Sequence, residues 1–429
     1  MLENSTIILG GGLAGLAASV YSEAPIFEAE DHIGGVAASD TVDGFTFDRG
    51  IHILQTQNTS VINLLNDIGV DMLTHDRHAY IYSHETYTAY PFQVNTAGLP
   101  IGLRIKCLWD FINRGREQDP ANYEEWMYRT IGKGFSETFL IPYSEKFWMV
   151  NPKEMTFEWT GNRVPKPNLL QVFRGALWSK QTKIGTNPTF RYPVAAAGYG
   201  AIAAAMQTKA GTINLQYRAE RIDLRNKVVH FTNGEQVKYD TLISTIPLPE
   251  LIRICPEAPD SIRAAASHLR TNSIKVVNLG IDRPNISPNH WVHFPEKDIS
   301  FFRLSYPHNF SENVTPPGMS SISAEVSYSR SNPPDNEQLL QKVIKDLIKV
   351  KALEADAPVA TTMVKDIPYA YCIYDKQRKS SIKVIHDWLS SVNVIPSGRY
   401  GLWTYFWSDE AILSGKRSAE KLLETRKAA

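Results

Sequence analysis

The chain has 429 residues, with 45 Lys plus Arg against 45 Asp plus Glu and a formal net charge of zero. This length is too great for one small domain, and without a basic excess we expect neither nucleic acid nor a membrane as partner. No apolar run reaches the roughly 18 residues of a membrane-spanning helix. Three scattered cysteines fit neither a disulfide framework nor a metal site, so we expect reduced thiols in a cytoplasmic protein.

The first thirty residues predict a β-α-β unit. An apolar strand at 6–9 precedes a glycine-rich turn, a helix at 16–21 and a second strand at 25–27. Because the first strand begins so close to Met1, we expect no signal peptide. The unit predicts a parallel sheet.

The turn of this unit carries three glycines with the spacing Gly-x-Gly-x-x-Gly. Gly10 permits the tight turn, Gly12 lets the backbone approach a pyrophosphate, and Gly15 lets helix and strand pack closely. At the end of the second strand, Glu28 is placed to accept hydrogen bonds from a ribose diol. The pattern predicts a dinucleotide site of the Rossmann type.

The remaining patterns predict a second, mixed lobe interleaved with the first. They are a helical stretch at 99–127, strands from 216 with a hairpin at Asn233-Gly234, antiparallel strands at 274–326, and helices at 337–351 and 409–426. We therefore expect an α/β fold in which a Rossmann-type domain is interleaved with a mixed α+β substrate domain of antiparallel sheet and helices. Residues 1–80, 191–250 and 380–429 are assigned to the cofactor domain, and 81–190 and 251–379 to the substrate domain.

The segments 28–39 and 44–50 resemble the extended flavin motif of the amine oxidase and protoporphyrinogen oxidase superfamily, although Val36 stands where that superfamily often has an arginine. Segments 244–247 and 396–401 resemble segments of the same superfamily. This resemblance implies that FAD is the cofactor and that Arg399 contacts its pyrophosphate. A surface arginine is the alternative for Arg399. The expected cofactor residues are Gly10, Gly12, Leu13, Ala14, Gly15, Glu28, Ala29, Gly34, Gly35, Val36, Ala37, His52 and Arg399.

No second glycine fingerprint offers a site for NAD(P). Gly198-Tyr199-Gly200 follows a proline-containing segment rather than a strand, and we interpret it as a turn and helix start. Any external reductant would therefore bind transiently.

A narrower resemblance, to the UDP-galactopyranose mutases, extends along the chain. It rests on segments 50–58, 90–93, 142–154, 163–165, 301–304 and 369–373. The resemblance implies that His52 lies beside the flavin ring and that two arginines bind the diphosphate of a sugar nucleotide. The substrate residues that it implies are Gln93, Tyr143, Trp148, Arg163, Arg303, Tyr371, Tyr405 and Trp407.

Several of these residues have a purely structural role as the alternative interpretation. Arg163 and Arg303 could each form a surface salt bridge, His52 could be structural, and Trp148, Trp403 and Trp407 could belong to the core. The chain also departs from the mutases. Trp407 stands in place of their aspartate, and a substrate tyrosine is missing near Asn187.

Three functions remain open at this stage. The leading one is a nucleotide-sugar mutase that interconverts pyranose and furanose forms through reduced flavin N5, with His52, Arg163, Arg303, Tyr371 and Tyr405 as its catalytic residues. The second is an FAD-dependent oxidoreductase acting on a small organic substrate, and the third is a non-catalytic flavin-binding protein. A nucleotide sugar or other small molecule is the expected partner, and a homodimer stays open.

Overall fold

The computed structural model describes residues 2–115, 119–161 and 163–428. Within these ranges the strands are β1 Leu2–Leu9, β2 Ile26–Phe27, β3 Ser39–Val42, β4 Phe45–Asp48, β5 Met72–Asp76, β6 Ala79–Ser83, β7 Thr86–Ala89, β8 Thr189–Pro193, β9 Ile213–Asn214, β10 Ala219–Asp223, β11 Val228–Phe231, β12 Gln236–Ser244, β13 Ser273–Ile281, β14 Trp291–His293, β15 Arg303–Ser305, β16 Ser320–Tyr328, β17 Val359–Ile367 and β18 Val394–Pro396.

The α-helices of the same ranges are α1 Leu13–Ser22, α2 Thr59–Asp67, α3 Ile101–Ile112, α4 Tyr123–Ile131, α5 Lys133–Phe135, α6 Ile141–Trp148, α7 Leu169–Leu177, α8 Ala201–Gln207, α9 Leu248–Arg253, α10 Asp260–Ser267, α11 Asn336–Lys349, α12 Arg378–Ser391, α13 Gly398–Gly401 and α14 Ser408–Ala428. A π-helical turn, Ser136–Leu140, joins α5 to α6. None of these helices combines the length and apolarity that crossing a bilayer requires.

The first sheet has the strand order β10-β11-β12-β1-β2-β9, and β18 pairs in parallel with the end of β12. The predicted β-α-β unit is confirmed, but β1 begins at Leu2 because it pairs with β12 over its whole length. Ile7 and Ile8 are fully buried in two different clusters, on opposite faces of the sheet. Such burial on both faces is typical of parallel strands covered by helices. The predicted parallel sheet comprises β18, β12, β1, β2 and β9, whereas β10 and β11 add to it in antiparallel pairing.

The second sheet has the order β17-β13-β16-β15-β14-β6-β7, and its strands are antiparallel except where β14 meets β6. Along β13, Ile274 and Val276 pack into one cluster, with the helices of residues 101–177, while Val277 and Leu279 pack into another, under α11. The predicted α/β fold with an antiparallel sheet plus helices is therefore confirmed. The domain boundaries stay a prediction, and β6 crosses the one placed at residue 80.

Candidate active site

A cleft of about 220 Å³ opens at the carboxyl end of β1, beside the start of α1. We name it the cofactor cleft. The predicted cofactor residues that line it are Gly10, Gly12, Leu13, Ala14, Glu28, Ala29, Gly34, Gly35, Val36, Ala37, His52 and Arg399. Of the predicted cofactor residues, only Gly15 does not line the cleft.

The three glycines of the turn meet different surroundings. A Cβ on Gly15 would lie 1.9 Å from the carbonyl oxygen of Gly10, whereas a Cβ on Gly12 would have its nearest neighbour, the Gly34 oxygen, at 3.9 Å. Gly15 therefore brings helix and strand together, and Gly12 leaves space in the cleft. No side chain caps the N-terminus of α1, so its first amides face a cleft that suits a phosphate group.

Glu28 closes the other side of the cofactor cleft. Its Oε2 accepts a hydrogen bond from the Gly11 amide at 2.5 Å, and its Oε1 accepts one from the Glu30 amide at 2.9 Å. Two backbone donors thus fix the carboxylate beside the glycine turn, where a ribose diol can reach it. Glycine backbone, uncapped helix amides and this carboxylate together fit the ADP portion of FAD.

A second cavity, of about 280 Å³, adjoins the cofactor cleft. We name it the substrate cavity. The two spaces share six lining residues, which are Val36, His52, Arg399, Tyr400, Trp407 and Ser408. All eight predicted substrate residues line this cavity, namely Gln93, Tyr143, Trp148, Arg163, Arg303, Tyr371, Tyr405 and Trp407. The structure brings these distant segments together, and their roles stay predictions.

Arg303 lies on β15 directly opposite Glu325 on β16. Its Nη2 and Nε donate to Glu325 Oε2 at 2.6 and 3.1 Å, and Glu325 Oε1 accepts from the Ile51 amide at 2.7 Å. Burial opposes the charge on Arg303, but Glu325 outweighs it and raises the pKa of the guanidinium. The arginine is held charged at the cavity wall, by a carboxylate that is itself buried.

Arg163 forms the second ion pair of the cavity. Its Nη2 donates to Glu410 at 2.8 Å and to the Tyr405 carbonyl at 3.0 Å, and its guanidinium lies 4.7 Å from the Trp407 ring centre. Glu410 Oε2 also accepts from the Trp407 amide at 2.8 Å. Both arginines therefore line the cavity and also form salt bridges, but the pair of Arg303 is buried, not at the surface as its alternative interpretation had it.

His52 stands between the two spaces. Its Nδ1 lies 3.1 Å from the Gly50 carbonyl. Because a carbonyl can only accept, Nδ1 carries the proton, and Nε2 is left as an acceptor. Burial, and then the positive charge of Arg399, lower the pKa of His52 to about 4. The ring is consequently neutral at pH 7.

Aromatic rings form much of the substrate cavity. The ring centre of Tyr371 lies 5.3 Å from that of Tyr405 and 6.0 Å from that of Trp148. The Tyr143 hydroxyl lies 2.9 Å from His293 Nδ1. Burial raises the pKa of Tyr371 and Tyr143 above the usual range, so both hydroxyls stay protonated. Tyr371 can donate a hydrogen bond to an anionic ligand, whereas the Tyr143 hydroxyl is already engaged with His293.

Arg399 and the two C-terminal tryptophans have distinct places. Arg399 donates to the carbonyls of Phe406, at 2.9 and 2.5 Å, and of Ala370, at 3.3 Å, so its guanidinium lies at the junction of the two spaces. Trp403 is fully buried in the core under the first sheet. Trp407, in contrast, lines both spaces.

The sequence reasoning did not identify several lining residues, including Arg49, Tyr217, Thr245, His293, Glu325 and Asp409. One signal was available for Glu325, since opposite charges on neighbouring predicted strands are common cross-strand pairs. Arg49 lies within segment 44–50 of the flavin motif, and its Nη1 donates to the Gly35 carbonyl at 3.2 Å. Tyr217 and His293 carried no local signal, because only the packing of distant strands places them.

Solved structures share this architecture. A reduced UDP-galactopyranose mutase superposes with a TM-score of 0.93 at 27% identity, covering 99% of this chain and 95% of the mutase. A putative protoporphyrinogen oxidase from Exiguobacterium sp. 255-15 gives a TM-score of 0.75 at 18% identity, covering 99% of both chains. At that identity the second likeness shows the fold alone.

Curated relatives include the 15-cis-phytoene desaturases (chloroplastic/chromoplastic) of Arabidopsis thaliana and Glycine max. They are 22% identical over 315 residues and 23% identical over 291 residues, covering 64% and 58% of this chain. The matches cover 53% and 49% of the desaturases, so the chain spans about half the length of these relatives.

The sequence profile of the flavin containing amine oxidoreductases matches residues 23–423. This match takes in most of the chain, including the residues of the substrate cavity and those of the cofactor cleft that follow the N-terminal glycine turn. The cofactor cleft, for its part, has the backbone donors and the carboxylate that the ADP portion of FAD needs. The protein is an FAD-dependent flavoenzyme that belongs to the flavin containing amine oxidoreductase family.

Proposed function

We propose that this flavoenzyme is a nucleotide-sugar mutase, which interconverts the pyranose and furanose forms of a sugar attached to a nucleoside diphosphate. The observation that carries the proposal is the charge of the substrate cavity. Four arginines line it, Arg49, Arg163, Arg303 and Arg399, against two lining carboxylates, Glu325 and Asp409. Three of the arginines are paired with a carboxylate, Arg49 with Asp40, Arg163 with Glu410 and Arg303 with Glu325, which leaves Arg399 without one among the described residues. Its two histidines, His52 and His293, have pKa values lowered to about 4 and about 3 and add no charge at pH 7.

An arginine without a carboxylate partner suits a diphosphate better than it suits a protonated amine. Guanidinium groups bind phosphate oxygens through paired, charge-assisted hydrogen bonds. Among the described residues, Arg399 has carbonyl groups as its hydrogen-bond partners and no carboxylate within salt-bridge distance. A half-buried cation without a counterion is costly, and an anionic ligand at the junction would relieve that cost.

The remaining cavity residues would orient the nucleotide and sugar. The rings of Trp148, Tyr371 and Tyr405 offer flat apolar faces, against which a nucleobase or sugar can pack. Gln93, whose Nε2 lies 3.4 Å from the Pro165 carbonyl, adds an amide that can hydrogen-bond to sugar hydroxyls. When bound, reduced FAD would supply the nucleophile for the anomeric carbon, and the neutral His52 would offer Nε2 as an acceptor beside the ring.

A net oxidoreductase is the second candidate, and the family assignment favours it. It is also favoured by Trp407, which stands where the mutases carry an aspartate. A small apolar or amine substrate would fit against the aromatic wall. It would leave Arg163 and Arg303 as structural ion pairs with Glu410 and Glu325.

Anaerobic turnover with purified holoenzyme separates the two candidates. UDP-galactopyranose and a panel of nucleotide sugars are incubated with and without dithionite, and the products are separated by chromatography and weighed by mass spectrometry. A new isomer of unchanged mass, formed only with reduced enzyme, is the expected result. No isomer, together with bleaching of the oxidised flavin by an amine or alcohol in a parallel panel, would overturn the mutase proposal.

A further inference from the structure

Two helices of the substrate lobe, α3 and α7, expose large apolar side chains to solvent. On α3 these are Ile101, Ile105, Trp109 and Ile112, and on α7 and the residue after it they are Leu169, Leu170, Phe173, Leu177 and Trp178. Each of the nine is between 49 and 69% exposed. We name this set the α3–α7 surface.

The exposed side chains follow helical spacing. On α3, positions 101, 105, 109 and 112 form one stripe, while Cys107 and Phe111 pack into the core on another face. On α7 the exposed leucines and Phe173 likewise form a stripe, opposite the buried Val172 and Gly175. Each helix therefore has two apolar faces, and only one of them is covered by the rest of the protein.

The two stripes belong to one continuous surface. Nη1 of Arg104 on α3 donates to the Ala176 carbonyl of α7 at 3.0 Å, which joins the helices. A Cβ on Gly175 would lie 2.1 Å from the Val94 carbonyl, so α7 is seated tightly on the lobe through its inner face. The outer stripe is thus held at the surface.

The exposed apolar area is on the order of 1,000 Å². The nine side chains are each a little over half exposed, so their exposed area equals that of about five fully exposed side chains, at roughly 200 Å² each. The largest apolar patch of an ordinary monomer is about 300–600 Å². A surface of this size indicates a binding partner.

Charge identifies the kind of partner. Within residues 101–112 and 166–183 the cations are Arg104, Lys106, Lys166, Arg174, Lys180 and Lys183, against one anion, Asp110. Lys106 forms salt bridges with Asp110 and with Glu137, which lies in the π-helical turn between α5 and α6. A local basic excess remains, although the whole chain has equal numbers of acidic and basic residues.

We propose that the α3–α7 surface docks this enzyme on an anionic phospholipid membrane, a partner that the neutral net charge of the whole chain did not predict. Helices with a Trp-, Phe- and Leu-rich apolar stripe and basic flanks lie in the interface of a bilayer, where lysine and arginine meet anionic headgroups. The twelve residues of α3 and the nine of α7 are too few to span a bilayer, so the helices lie on it. A second copy of the chain is a poorer occupant, since two basic faces would repel each other.

The docked surface adjoins the substrate cavity. Val164 and Pro165, just before α7, and Thr186 and Asn187, after it, all line that cavity. Membrane contact through α7 would thus hold one edge of the cavity at the bilayer.

Flotation of the purified holoenzyme with lipid vesicles tests the proposal. We expect binding to vesicles of equal parts phosphatidylcholine and phosphatidylglycerol, weak binding to phosphatidylcholine alone, and loss of binding as salt screens the headgroups. The double substitution Ile105→Ser with Trp109→Ser removes half of the α3 stripe and is expected to lower binding about tenfold or more. Replacing Lys180 and Lys183 by Gln is expected to weaken binding and its salt dependence.

A matched control is Val384→Ser, which changes an exposed valine on α12, 45% exposed and outside the surface. It should bind like the parent, and bound FAD, seen by its absorbance, reports that each variant is folded. No binding to anionic vesicles, or equal binding to neutral ones, would overturn the proposal. So would a dimer in light scattering that the Ile105→Ser, Trp109→Ser variant converts to monomer, because the surface would then be covered by a second copy.

Discussion

The cofactor cleft and the substrate cavity share six lining residues but are built in different ways. The cleft consists mainly of glycine backbone and helix amides, with Glu28 as its carboxylate. The cavity consists of side chains from distant segments, in which arginines are held by carboxylates and surrounded by aromatic rings. A ligand site made of backbone is set by local sequence, whereas one made of side chains depends on how distant strands and helices pack.

The largest effect is expected at the cleft, from Gly15→Val. The new Cβ would lie 1.9 Å from the Gly10 carbonyl oxygen, and backbone atoms on both sides cannot move away without separating α1 from β1. We expect a loss of at least about 4 kcal/mol in the free energy of unfolding, together with loss of FAD. Urea unfolding and flavin absorbance measure both.

Gly12→Val is the matched comparison in the same turn. Its Cβ meets nothing closer than the Gly34 oxygen at 3.9 Å, so the apoprotein should keep its fold, as seen by circular dichroism. The side chain fills the space where the pyrophosphate would approach, and FAD affinity should fall about tenfold or more. Equal destabilisation by both substitutions would contradict the separate roles of the two glycines.

The next effect is expected in the cavity, from Arg303→Met. It leaves Glu325 buried without its cation, and breaking a buried pair in this way costs about 3 kcal/mol or more. The double variant Arg303→Met with Glu325→Gln removes the orphaned charge, while Gln can still accept from the Ile51 amide. Chemical unfolding should show that the second substitution restores more than half of the loss, and an additive result would mean that the pair is not coupled.

The contrast between the two sites also explains how much the sequence could predict. The β-α-β unit and the roles of Gly10, Gly12 and Glu28 follow from short-range pattern, and the structure places these residues around one cleft. The antiparallel strands and the amphipathic α11 were likewise predictable from periodicity. The family resemblance located three of the four arginines of the cavity, Arg163, Arg303 and Arg399, because they stand within recognisable segments.

Ion-pair partners could not be predicted in the same way. Glu325 faces Arg303 because β15 and β16 pair in one register, and Glu410 meets Arg163 because α14 begins beside the loop before α7. Trp403 and Trp407, four residues apart, both had the core as an alternative interpretation, and only Trp407 was predicted to contact the substrate. The backbone of Trp403 is left-handed, with φ of 50°, and turns its ring into the core, while Trp407 lines the cavity.

A smaller effect is expected from His52, which belongs to both sites. Its folded pKa of about 4 lies below the ordinary 6.5, so the folded state disfavours protonation. Its contribution to stability is therefore complete above pH 6.5 and is lost as the pH falls towards 4. We expect His52→Gln to reduce the stability difference between pH 7 and pH 5 by about 1 to 2 kcal/mol, measured by urea unfolding of the holoenzyme. An unchanged difference would mean that His52 is already solvated.

The smallest effect concerns Arg163 and sharpens the proposal that the cavity takes a diphosphate. Glu410 Oε2 holds the guanidinium at 2.8 Å, so an anionic ligand must compete with this carboxylate. Glu410→Gln keeps an acceptor for the Trp407 amide but removes the competing charge. We expect it to tighten binding of UDP several-fold, while Arg163→Gln weakens binding by about tenfold, the usual size of one charge-assisted hydrogen bond.

Calorimetric titration of UDP into the holoenzyme measures both changes, with uridine as the uncharged comparison. If Arg163 contacts the diphosphate, the two substitutions shift the affinity for UDP in opposite directions and leave that for uridine nearly unchanged. If Arg163 serves only to tie its loop to α14, both substitutions break the same salt bridge. They would then act in the same direction on UDP and on uridine. The sign of the Glu410→Gln effect therefore separates a ligand-binding arginine from a structural one, and with it a cavity built for a diphosphate from one built for a small neutral substrate.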